Sequence, residues 1–88
     1  MNAHFPSLRD YWTAAATQLE KAGISNAHLE AEILIRNFSG STRAQFYASL
    51  TDPIKFPMEG ALEDALERRC LREPLAYITG HREFYNLD

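Results

Sequence analysis

The sequence holds too little of several things to belong to most enzyme classes. Its 88 residues include one cysteine, four glycines and four prolines, and no apolar run is longer than Leu75-Ala-Tyr-Ile78. A lone Cys70 cannot close an internal disulfide, and Met1-Asn-Ala-His-Phe-Pro6 lacks a basic segment followed by an apolar stretch, so a cytoplasmic location is expected. The apolar run falls far below the roughly 20 residues that span a bilayer, and no membrane partner is expected. The glycines, at 23, 40, 60 and 80, never take the G-x-G-x-x-G or G-x-x-x-x-G-K-S/T spacing that cradles phosphates. The histidines, at 4, 28 and 81, have no cysteine or carboxylate partner at metal-ligand spacing, which argues against zinc. Positive charge is not in excess. Nine Lys and Arg stand against twelve Asp and Glu, a net charge of −3, so no direct contact with nucleic acid is expected. Length excludes more, because one strand-helix-strand unit takes roughly 30 residues and a doubly wound cofactor domain needs several.

What is present reads as an all-α fold, a compact bundle of about five helices. Ser7 and Asp10 have capping spacing, and Leu8, Tyr11, Trp12, Ala15, Ala16 and Leu19 then recur at helical intervals until Gly23. Ser25 or Asn26 can cap a second helix whose apolar positions are Leu29, Ile33, Leu34 and Phe38, with Gly40 as its stop and Ile24 packed in the junction. A short third helix follows Ser41-Thr42 and sets Phe46 and Leu50 on one face. Pro53 and Pro57 bracket a connector, and Pro57 can open a fourth helix that aligns Met58, Leu62, Leu66 and Cys70, with Ala61 and Ala65 beside them. Acidic Glu59, Glu63, Asp64 and Glu67 precede basic Arg68, Arg69 and Arg72, an order that suits the helix dipole and permits an Asp64–Arg68 pair. Pro74 then opens a fifth helix, closed by Gly80 in a left-handed conformation. Glu83-Phe84-Tyr85-Asn86-Leu87 reads as the start of a strand.

Candidate sites are few. Glu30 and Glu32 lie two apart and point in different directions, and Glu59, Glu63 and Glu67 are better explained as a solvated face than as a catalytic pair. Cys70 sits on the apolar stripe and reads as a small hydrophobe. Tyr11 and Trp12 read as one core residue and one at the rim, not a platform for bases.

One segment carries more than composition. Arg72-Glu73-Pro74-Leu75-Ala76-Tyr77-Ile78-Thr79-Gly80, followed two residues later by Glu83-Phe84, closely resembles the motif that precedes the linker in the HemK (PrmC) family of protein-(glutamine-N5) methyltransferases. Gly23-Ile24-Ser25 and the helix Glu30-Ala-Glu-Ile-Leu-Ile35 fit the same family's N-terminal domain, so the resemblance covers essentially the whole chain. It implies that residues 1–80 form a helical, substrate-recognising domain. Residues 81–88 would begin a β-hairpin linker to a Rossmann-like domain that binds S-adenosylmethionine, the chain's own C-terminal catalytic partner. The implied activity of the whole enzyme is methylation of the glutamine of the Gly-Gly-Gln motif in class 1 peptide chain release factors, a step in translation termination. No catalytic, cofactor or metal residue transfers onto this sequence, whose prolines are never adjacent and so cannot supply the family's Asn-Pro-Pro-Tyr motif. The motif residues Glu73 to Gly80 with Glu83 and Phe84 are then structural or partner-facing. Arg68, Arg69 and Arg72 are candidate partner contacts, and the fragment is expected to be a monomer. The competing reading is a free-standing helical module that binds protein or nucleic acid.

Overall fold

The computed structural model describes residues 7–53 and 59–80. Five helices follow in order: α1 (Leu8–Lys21), α2 (Ala27–Ser39), α3 (Arg43–Ala48), α4 (Glu59–Cys70) and α5 (Leu75–Thr79). No strand occurs among the described residues, and the all-α expectation holds. Pro57 and Met58, read as the opening of α4, and Glu83 and Phe84, read as the linker strand, lie outside the described residues.

Local chemistry sets the helix ends. At α1, the Ser7 hydroxyl accepts from the Asp10 amide at 3.2 Å and donates to the Asp10 carboxylate at 3.1 Å. Two further amides of that first turn find carbonyls across the fold, Leu8 N–H on Asp52 and Arg9 N–H on Leu50, at 3.0 and 2.9 Å. Donors that a helix start leaves unpaired thereby anchor the turn after α3. The α1 C-terminus closes on Gly23 at φ +88, with Gly23 N–H on the Glu20 carbonyl and Ile24 N–H on that of Leu19. Both bonds of a Schellman motif are present, and buried Leu19 and Ile24 supply its apolar contact. Thr42 and Gln45 form a reciprocal capping box at α3. Asn26 occupies the N-cap of α2 but makes no side-chain bond to it, so the expected cap from Ser25 or Asn26 is absent.

The core joins Leu8, Tyr11, Ala15, Ala16 and Leu19 of α1 to Ala27, Ala31, Leu34 and Ile35 of α2, with Phe46, Leu62, Ala65, Leu66 and Ile78 from the later helices. Removing a side chain such as Leu34 or Phe46 from water contributes about 1.5–3 kcal/mol. The expected α1 face is the observed one. On α2 three of the four expected positions hold, with Ile33 and Leu34 buried and Phe38 packed on the core, while Leu29 at the first turn is 45% exposed and Ala27, Ala31 and Ile35 extend the buried face. Of the two alanines placed beside the α4 stripe, Ala65 is buried and Ala61 exposed. Tyr11 is buried, while Trp12 lies at the rim and donates from Nε1 to the His28 carbonyl at 2.8 Å.

Candidate functional site

The segment that resembles the methyltransferase motif begins where α4 ends, and α4 ends without a glycine. The amide of Arg72 bonds the Arg69 carbonyl at 2.8 Å, and the amide of Glu73 bonds that of Arg68 at 3.1 Å. These are again the two bonds of a Schellman motif, and the left-handed position falls on Arg72 at φ +75. Arg72 is the one non-glycine residue with positive φ among the described residues. Such a conformation costs an L-residue about 1–2 kcal/mol relative to its ordinary one. The sequence carried a signal for it, since no glycine stands between Cys70 and Pro74 to take the turn.

Its side chain reaches across the fold. Arg72 Nη2 lies 2.7 Å from where a Cβ on Gly23 would stand, so the guanidinium covers the α1–α2 turn in the space that the glycine leaves open. Guanidinium charge at that point also faces the negative end of the α1 dipole. Gly23-Ile24 and Arg72 to Gly80, two of the segments that carry the family resemblance, therefore meet at one corner of the molecule.

The other two arginines are held within the corner. Arg68 donates from Nε to Glu73 Oε1 at 2.9 Å and from Nη2 to Glu73 Oε2. Hydrogen bonding from Arg68 holds the Glu73 carboxyl below the usual carboxylate range, and the same bond raises the Arg68 pKa further. Arg69 pairs with Glu30 of α2, Nε to Oε1 at 2.6 Å and Nη2 to Oε2 at 3.3 Å, and donates from Nη1 to the Glu73 carbonyl at 3.0 Å. Asp64, expected to partner Arg68 along the helix, makes only a minor electrostatic contribution. Arg72 has no carboxylate partner among the described residues.

Within the motif, Pro74 takes the N-cap of α5 and Gly80 closes it at φ +75, bonding the Ala76 carbonyl at 2.8 Å. Ile78 and Thr79 are buried, Leu75 packs on the core and Ala76 is half-buried. Tyr77 points outward at 74% exposure, as does Leu71 at the foot of α4 at 79%. The sequence reading did not single out Leu71. It lies off the Leu62-Leu66-Cys70 line by more than a quarter turn, which was the available signal.

A groove of about 520 Å³ runs between α1 and α4 along Ala14, Ala15 and Gly60, edged by exposed Glu63, Asp64 and Glu67. Among the described residues no serine, threonine, cysteine or histidine lines it. Cys70 is half-buried against the core, its Sγ 3.8 Å from the Gln18 carbonyl, in line with a packing role. Among the described residues no group of His, Cys, Asp or Glu could hold a metal ion. Nor do the described residues fit S-adenosylmethionine, since Gly23, Gly40 and Gly80 each close a helix and Gly60 lies inside one. No described helix is long and apolar enough to cross a membrane.

Comparison with known proteins gives the family. The family model of the PrmC N-terminal domain matches residues 10–80. A bifunctional methyltransferase of Rickettsia felis is 36% identical over 82 residues, 93% of this chain and 16% of that protein. Release factor glutamine methyltransferases of Moorella thermoacetica and Caulobacter vibrioides are each 34% identical, covering 93% and 86% of this chain but 29% and 26% of those enzymes. The chain thus spans less than a third of the length of these relatives. No solved structure matches it. With 71 of its 88 residues inside the matched span, including both segments of the corner, the chain belongs to the PrmC N-terminal domain family.

Proposed function

We propose that this chain is the substrate-recognition domain of an S-adenosylmethionine-dependent methyltransferase that modifies the glutamine of the Gly-Gly-Gln motif in class 1 release factors. The observation that carries the reading is the family match over residues 10–80, with relatives named release factor glutamine methyltransferase. In the reaction the methyl group passes from the sulfonium sulfur to the glutamine side-chain nitrogen, which loses a proton. The residues described here contribute to that chemistry by holding the protein substrate. Remote binding of this kind fixes the reacting amide against the methyl donor, and orientation can supply several kcal/mol of the barrier reduction. The cofactor belongs to a separate Rossmann-like domain, and the setting is the cytoplasm, with the domain a monomer that makes no contact with nucleic acid.

Isothermal calorimetry of the 88-residue chain tests this division of labour. Titration with a class 1 release factor is expected to give micromolar binding, and no heat at any concentration would overturn the reading. Titration with S-adenosylmethionine is expected to give none; micromolar affinity would place the cofactor on the wrong domain.

A further inference from the structure

The geometry points to the α4–α5 corner as the surface that grips the protein substrate, with Arg72 as its charged anchor, Leu71 and Tyr77 as apolar contacts, and an acidic segment with an apolar side chain as the occupant. This rests on the release-factor reading and adds to it where, and by what chemistry, the partner is held.

Three observations converge. First, charge at the corner is matched except at one point. Glu73 answers Arg68 and Glu30 answers Arg69, whereas Arg72 has no carboxylate partner among the described residues. Among these five groups one positive charge is left over, in a chain whose net charge is −3. The α1–α4 groove, by contrast, is edged by Glu63, Asp64 and Glu67, so the two faces of α4 would attract opposite partners. Second, two of the large apolar residues most exposed among those described, Leu71 at 79% and Tyr77 at 74%, flank Arg72 within six residues. Tyrosine and arginine are the residue types most enriched where binding energy concentrates, and an apolar surround excludes water from the charge. Third, Arg72 holds a left-handed backbone conformation that glycine would take at no steric cost, and its guanidinium is set over Gly23. Strain retained at one residue whose side chain bridges two segments is a pointer to function. An acidic protein segment with an apolar side chain complements all three; a nucleic-acid phosphate would answer the charge but leave Leu71 and Tyr77 uncovered.

Calorimetry of the 88-residue chain against a class 1 release factor, with melting temperatures of every variant, tests the assignment. Arg72→Glu is expected to raise Kd at least tenfold, and Tyr77→Ala and Leu71→Ser about fivefold each. Arg72→Gly separates binding from folding, because it removes the backbone strain together with the guanidinium: the melting temperature should hold or rise while Kd still rises about fivefold. Glu63→Gln in the acidic groove should leave Kd within twofold. If wild type binds and all corner variants bind equally well, the corner is wrong and the release-factor reading stands. If wild type does not bind, both fall. Tighter binding to a single-stranded RNA oligonucleotide than to the release factor, lost in Arg72→Glu, would also overturn the proposal by replacing its occupant.

Discussion

Two arginine–carboxylate clusters, built from the same chemistry, differ in how far their carboxylates are exposed in this small domain. In one, Glu32 is 1% exposed and receives Arg36 Nη1 at 3.2 Å, Arg43 Nε at 2.9 Å and the Tyr47 hydroxyl at 2.9 Å. Around it Trp12, Phe46 and Tyr47 meet edge to face with centroids 5.1–5.7 Å apart, and the Arg43 guanidinium lies 5.8 Å from the centre of the Tyr47 ring. In the other, at the α4–α5 corner, Arg68 and Glu73 remain 40% and 34% exposed by side chain, and Arg72 is answered by no described carboxylate. The buried cluster ties α3 to α2 and leaves its carboxylate closed to any partner. The corner cluster orients a turn and leaves a cation and two apolar side chains facing outward. The same residue types thus serve folding where they are enclosed and are available to a partner where they are not.

That contrast predicts unequal costs. Glu32→Gln keeps shape but removes the charge on which Arg36, itself 7% exposed, depends. Breaking a buried pair from one side costs about 3 kcal/mol or more, since it leaves the other charge unanswered. A domain of this size has roughly 4–13 kcal/mol of total stability, so thermal unfolding should shift down by roughly 15 °C. A shift under about 3 °C would mean that Glu32 is not the keystone of the α2–α3 contact.

The intermediate case lies inside the corner. Glu30 and Arg69 are 15% and 18% exposed by side chain, paired through two hydrogen bonds across α2 and α4. Glu30→Gln is expected to cost about 1.5 kcal/mol, the value of a charge-assisted bond that is partly shielded from water. Urea denaturation resolves that difference. A cost equal to that of Glu32→Gln would erase the distinction between the two clusters.

What the sequence made legible follows a simple division between local and distant causes. The Ser7–Asp10 cap, the Gly23, Gly40 and Gly80 stops and the α1 face depend on residues a few positions apart, and all were readable. The motif Glu73 to Gly80 was readable as a family signature, but not the burial of Thr79 or the outward turn of Tyr77. Glu32 was legible only as pointing away from Glu30, because Tyr47 and Arg43 come to it only once α3 folds back over α2. Glu30 meets Arg69 from 39 residues away, and no helical periodicity encodes that. The exposure of Leu29 was misread for a related reason. Ile33, one turn further along the same line, is buried, and only the neighbouring helices decide how far toward a helix end the packing reaches.

The smallest expected effect is the acid response of Glu73. Its folded pKa is depressed by the Arg68 bond, so its contribution to stability is complete above the ordinary carboxyl value of 4.5 and is lost as pH falls through the folded value. Arg68 runs the other way: its raised pKa gives stability that is present below its ordinary value and is lost only at extreme alkaline pH, leaving the acid limb as the measurable one. Both side chains are more than a third exposed, so salt should screen the pair. The difference in melting temperature between wild type and Glu73→Gln should be small and positive at pH 7, shrink below about pH 4.5, and shrink again in high salt. A difference that instead grew on acidification would mean that Glu73 is protonated more readily in the folded chain than in the unfolded one, and the corner would then lack the fixed Glu73–Arg68 pair that leaves Arg72 as its outward charge.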